Sequence, residues 1–155
     1  MLFIVLLSVY LSNKFKNNKY VSKLFLFVAF IVMVLFAGLR DYRVGTDGPN
    51  YLHFFNSVRT FSDFMERGQE SWEYGFWFLT WAVHFVSDQY LTFFVVIALI
   101  VVGCYQKAIV AHSVNALVSF FVFITMGYYT FFFNGARQWV ACAICALAVG
   151  PLLER

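Results

Sequence analysis

Apolar positions along this chain come in long runs, and the polar ones are gathered into a few short stretches between them. Met1 to Leu11 is an apolar run that ends in Ser12, Asn13 and a group of lysines. Leu24 to Leu39 is uncharged over 16 residues, about 24 Å of helix at about 1.5 Å per residue. Tyr20, Val21 and a snorkelling Lys23 complete it toward the roughly 30 Å of a bilayer core. Tyr74 to Ser87, Gln89 to Gln106, Ala108 to Ala136 and Gln138 to Leu153 are again free of formal charge. The pattern predicts an all-α, polytopic membrane helix bundle. It forms one transmembrane domain over 1–155, with spans at about 2–12, 21–39, 74–87, 90–106, 114–133 and 138–153. The count is six, or five if the 14-residue segment 74–87 is re-entrant. With six, Lys107 lies outside and Arg137 inside; with five, the two change sides.

Between the second and third runs, Arg40 to Glu73 is the one long polar segment, with four arginines and six acids in 34 residues. Tyr51, Phe54, Phe55 and Val58 repeat at helical spacing, as do Phe61, Phe64, Met65 and Trp72. Thr60 with Asp63 has the form of a capping box. Two short amphipathic helices at the membrane surface fit this pattern.

Composition sharpens the class. The chain is 62% hydrophobic, 22% aromatic and only 12% charged, too few charges to cover a soluble domain of this length. Lys14, Lys16, Lys19 and Lys23 stand without an acid among them, while six of the eight acids lie between Asp41 and Glu73. The positive-inside rule then puts 12–23 in the cytoplasm, and the N-terminus and loop 40–73 outside. A secretory signal peptide would show the reverse order, with a basic start. No basic face is large enough to track nucleic acid. Cys104, Cys142 and Cys145 sit in apolar runs without further ligands, so they read as small packing residues rather than metal or redox sites.

Three polar constellations could carry chemistry. In the first, Arg40 and Arg43 share a face if the helix continues, and two guanidinium groups there suit a phosphate or pyrophosphate. The plainer reading is a pair of interfacial anchors. Gly45-Thr46-Asp47-Gly48-Pro49 reads as a turn into a helix, with Asp47 either its N-cap or a carboxylate available as general base. In the second, Glu73 enters an apolar run among Trp72, Tyr74 and Trp77. The rings belong to an interface belt, but an acid at that place needs a partner or a water-filled cavity. In the third, Asn134-Gly135-Ala136-Arg137-Gln138 interrupts two apolar runs, so Arg137 lies either at a tight turn or facing a cavity in the bundle. His84 lies about 16 Å along a helix from Glu73 and forms no dyad with it; it reads as a buried histidine bonded to a neighbouring helix. His53 and His112 are isolated, and no metal-ligand spacing occurs.

Ala37-Gly38-Leu39-Arg40 with Val44-Gly45-Thr46-Asp47 and Tyr51, then Glu73-x-Gly75-Phe76, then Asn134-x-x-Arg137-Gln138, together resemble the EpsG family of bacterial inner-membrane proteins. These belong to exopolysaccharide, capsule and O-antigen clusters and are regarded as Wzy-like polymerases. The resemblance implies glycosyl transfer at the outer face of the inner membrane, from undecaprenyl pyrophosphate to a hydroxyl of the next lipid-linked repeat unit. No metal cage is visible in the sequence, and no cofactor is expected. Asp47 or Glu73 would be the base, and Arg40, Arg43 and Arg137 would stabilise the departing pyrophosphate. Tyr51, Trp72, Trp77, Asn134 and Gln138 would line the substrate path. Partners would be the lipid-linked oligosaccharide, membrane lipid, and flippase and chain-length regulator proteins. Members of that family are longer, with further spans and outer loops, so the resemblance also implies the front part of a larger polymerase. A lipid-linked sugar transporter, or an inactive truncated fragment, would use the same charges differently.

Overall fold

The first two apolar runs form helices α1 (Leu2–Lys14) and α2 (Lys19–Gly38) in a computed structural model that describes residues 1–71 and 73–153. The polar residues between them make the turn. Asn18 caps α2 by accepting from the Tyr20 and Val21 backbone N–H groups, and the pair is pinned by a 2.8 Å hydrogen bond between the Ser12 and Ser22 hydroxyls. At about 30 Å, α2 is long enough to cross a bilayer core. Its Ala29, Met33, Val34 and Ala37 are buried, while Leu24, Phe27, Leu35 and Phe36 are exposed. An apolar outer face of this kind is the surface a lipid-bound helix presents.

After the polar segment come α3 (Gly48–Ser57), α4 (Phe61–Ser71), α5 (Tyr74–His84), α6 (Tyr90–His112), α7 (Ala116–Thr125), the single turn α8 (Tyr128–Phe131) and α9 (Ala136–Leu153). The chain is all-helical among the described residues. Besides α2, α6 is long and apolar enough to cross a membrane; α1, α7 and the Ala136–Val149 part of α9 are shorter apolar helices.

Helix α6 runs antiparallel to α2. Gly38 at the end of α2 faces Val95 near the start of α6, and Gln106 Nε2 near the end of α6 donates to the Leu26 carbonyl at 3.0 Å. The molecule therefore has a lysine end, where Ser12, Lys16 and Ser22 meet Ser113 and Asn115, and a loop end, where Tyr42 packs edge-on against Tyr90. Helix α9 returns along α6 from the loop end.

The segment expected as one helix over 114–133 is broken. Helix α7 stops at Thr125, and Gly127 takes φ 84°, a left-handed conformation that glycine adopts at no steric cost. Its carbonyl then accepts from Thr130 and Phe131 to start α8. The Tyr129 hydroxyl, fully buried, donates to the Met33 carbonyl of α2 at 2.6 Å, which fastens the broken segment to the bundle.

The two expected amphipathic helices are α3 and α4. Tyr51, Phe55 and Phe64 turn inward, and the capping box at α4 forms as read: the Asp63 N–H donates to Thr60 Oγ1, and the Thr60 N–H donates to Asp63 Oδ2. Helix α5 has only 11 residues, about 16 Å. It doubles back on α4, with Tyr74 and Trp81 both against Phe64, and its last residue, His84, bonds to the Phe55 carbonyl of α3. Helices α3, α4 and α5 thus form one layer of short elements at the loop end.

Candidate functional site

The site is built where α2 ends. Helix α2 stops at Gly38, so the condition under which Arg40 and Arg43 would share a helical face is not met. Arg40 is buried, with Nη1 donating to the Ala37 carbonyl at 3.1 Å. Its guanidinium lies 4.4 Å from the Phe94 ring and 4.2 Å from that of Phe133. Burial pushes its pKa down to about 10, which leaves it charged at neutral pH. Arg43 is exposed, and its Nε donates to the Tyr42 hydroxyl. Neither arginine lines the cavity described below.

Past Arg43 the chain closes a tight turn. Gly45 has φ 98°, and a Cβ there would stand 2.7 Å from Asn134 Oδ1. At Gly48 a Cβ would meet the Tyr42 carbonyl oxygen at 1.8 Å, so only glycine lets the strand of turn residues pass. Asn134 Oδ1 accepts from the Thr46 N–H at 2.7 Å and from the Thr46 hydroxyl at 3.3 Å. One amide oxygen thereby joins the turn after α2 to the turn before α9, 88 residues away.

This tether sets Asp47 beside the first turn of α9. Asp47 stands at the N-cap position of α3, but its side chain makes no capping bond. Among the described residues its carboxylate has no hydrogen-bond or ion-pair partner, which removes the plain capping reading. Glu73 stands at the N-cap position of α5, also without a capping bond, and accepts instead from Arg137 Nη1. The acid that needed a partner at the head of an apolar run has one. The Arg137 guanidinium lies 5.4 Å from the Phe54 ring and 5.9 Å from Phe76, whose faces favour a cation. The two readings of Arg137 coincide, because it follows a tight turn and also faces a cavity.

Asp47, Tyr51, Glu73, Asn134, Gly135, Arg137 and Gln138 line that cavity, of about 160 Å³. Burial raises the Tyr51 phenol above its ordinary pKa, against the opposing pull of the Ala136 and Arg137 backbone N–H groups, so it stays neutral. A second, more open hollow of about 430 Å³ shares Glu73, Arg137 and Gln138 and continues past Gly75 and Phe76 to Ala141, between α5 and α9. A charged chamber with two carboxylates and one guanidinium thus adjoins a largely apolar trough.

Of the residues singled out in the sequence, six meet here: Asp47, Tyr51, Glu73, Asn134, Arg137 and Gln138. Trp72 lies outside the described residues. Trp77 is buried and donates to Ser71 Oγ at 2.6 Å, with its ring edge-on to Phe54; it is a packing residue and lines neither hollow. Thr46 and Gly48 were read only as part of a turn, and the tether from Thr46 to Asn134 was not foreseen.

A family model, EpsG family, matches residues 23–155. No curated protein and no solved structure matches the chain.

Proposed function

Because the chain belongs to the EpsG family, membrane proteins of polysaccharide biosynthesis, we propose that it takes part in polymerising lipid-linked oligosaccharide repeat units by glycosyl transfer from undecaprenyl pyrophosphate. The observation that carries this reading is the joining of the chamber of Asp47, Glu73 and Arg137 to the trough between α5 and α9. An amphiphile with a sugar pyrophosphate head and an isoprenoid tail has that division of polarity.

In this reading the acceptor hydroxyl oxygen bonds to the anomeric carbon while the bond from that carbon to the pyrophosphate oxygen breaks. The hydroxyl proton passes to a carboxylate, and the lipid pyrophosphate leaves. Asp47 is the better base, because Glu73 is already engaged by Arg137. Arg137 is the group suited to the departing charge, since it is held by a carboxylate and two rings rather than being free in solvent. Tyr51, Asn134 and Gln138 supply hydrogen bonds to sugar hydroxyls. Arg40 adds a buried positive charge that interacts with Tyr51, and Arg43 has no part in the step. Loop 40–73 belongs on the outer face of the inner membrane, with the lysine end in the cytoplasm. Flippase and chain-length regulator proteins are the partners such a reaction needs for supply and termination.

The test is elongation by the purified chain in proteoliposomes supplied with an undecaprenyl-pyrophosphate-linked repeat unit. The expected result is a ladder of longer glycans, reduced by about 10²–10³ in Arg137→Met, the usual loss for one stabilising donor. Passage of the lipid-linked unit across the bilayer without chain growth would overturn the reading in favour of transport.

A further inference from the structure

The lysine end carries a second hollow that the polymerisation reading does not use. It has a volume of about 450 Å³, and its polar lining is Ser12, Asn13, Lys16, Ser22, Ser113 and Asn115. No carboxylate is among its lining residues, and Lys16, both asparagine amides and the serine hydroxyls can donate into it. Asn115 Oδ1 is occupied in capping α7 through the Leu117 and Val118 N–H groups, which leaves its amide N–H groups for another acceptor. Ser12 and Ser22 share one hydrogen bond between two hydroxyls, so one hydroxyl hydrogen remains to donate. The Ser113 hydroxyl oxygen is buried without a partner among the described residues, a state that polar groups rarely keep. Lys16 adds a full positive charge. A concave set of donors around one cation, with no acid, is complementary to an oxyanion.

The same hollow has an apolar side. Leu26 and Val110 line it and also line a groove of about 200 Å³ that runs along α2 and α6 past Phe30 and Gly103, with Lys107 at its edge. Val114, at the rim, is fully exposed. A free phosphate has no use for the groove, whereas a lipid does. We propose that this end of the molecule binds an anionic phospholipid, its phosphate in the donor pocket and an acyl chain along the α2–α6 groove. The proposal needs the chain to be a membrane protein and is independent of the polymerase reading.

Native mass spectrometry of the full chain in neutral detergent tests it, with phosphatidylglycerol and phosphatidylcholine titrated separately. Phosphatidylglycerol should bind in preference, and Lys16→Gln should lower that preference roughly fivefold, the worth of one lysine at an anionic lipid. Lys19→Gln, an exposed lysine outside the pocket, should leave it unchanged, and Ser113→Val should lower it without altering net charge. Equal loss in Lys16→Gln and Lys19→Gln would reduce the effect to surface charge and overturn the site. An unchanged preference in both Lys16→Gln and Ser113→Val would also overturn it. Glycerol phosphate displacing the lipid at matched concentration would assign the pocket to a soluble phosphate and overturn the lipid as its occupant.

Discussion

Arg40 holds a full charge inside the packed protein, and two of its nitrogens, Nε and Nη2, are buried without partners among the described residues. What offsets the desolvation is the ring faces of Phe94 and Phe133, each worth up to about 2 kcal/mol when water is excluded. Such an arrangement is close to balanced, as buried charges often are. Arg40→Met should therefore leave the thermal midpoint within a few degrees, while a residue supplying positive potential to the chamber would show as lost elongation. A large drop in midpoint would instead make Arg40 a packing residue. Asp47 separates the two roles more sharply. A capping aspartate costs about 1 kcal/mol on removal, whereas this carboxylate makes no capping bond. Asp47→Ala should keep the midpoint and lose about 10²–10⁴ in elongation rate, the range for a general base. Loss of stability with retained rate would return Asp47 to the cap. At this scale the sequence showed which residue types were out of place, Glu73 above all, but not that Arg137 would be its partner across 64 residues.

The elements that place these residues are short, and their ends are where local chemistry decides most. Helix α4 begins on the Thr60–Asp63 capping box, which was legible because both partners lie three residues apart in the sequence. Its Asp63 carboxyl is held below the ordinary carboxylate value by the Thr60 N–H first, then the Thr60 hydroxyl and the Arg59 N–H. A group with a depressed pKa in the folded state stabilises above its unfolded value and loses that contribution as pH falls through the folded one. The α4 amides should therefore keep a constant protection relative to their intrinsic exchange rates down to about pH 4, the ordinary carboxylate value, and lose protection below it. Asp63→Asn should remove that acid step; an unchanged acid profile would mean the box contributes nothing to α4. Another element boundary was hidden. The break at Gly127 follows from one backbone angle inside an apolar stretch, whereas the end of α2 at Gly38 falls within one residue of the expected 39. Periodicity reports which face is apolar; it does not report where a helix stops when apolar residues continue.

For the whole molecule, the open choice in the sequence was whether 74–87 crosses, because that decides where every later charge lies. Both ends of α5 stay among elements of the loop end: Glu73 is bound to Arg137, and His84 to the Phe55 carbonyl, 2.9 Å away. Lys107 follows Gln106, which is fixed to Leu26 near the lysine end of α2. A topology in which α1, α2, α6, the broken α7 and α8, and α9 cross while α5 does not would gather Lys14, Lys16, Lys19, Lys23 and Lys107 on one side. Asp47, Glu73 and Arg137 would then lie on the other. That is also the division the positive-inside rule prefers, which single charges could not establish without the pairing of α2 with α6. Impermeant maleimide labelling measures it directly, once Cys104, Cys142 and Cys145 have been replaced. In intact cells, cysteines at Gln69 and Asn50 should label from outside, and those at Asn17 and Lys107 only after permeabilisation. The decisive position is Lys107, because a crossing α5 would move it to the outer side without moving Gln69. Labelling at Lys107 in intact cells would therefore mean six crossings, would part Arg137 from Glu73, and would dissolve the chamber on which the proposed chemistry depends.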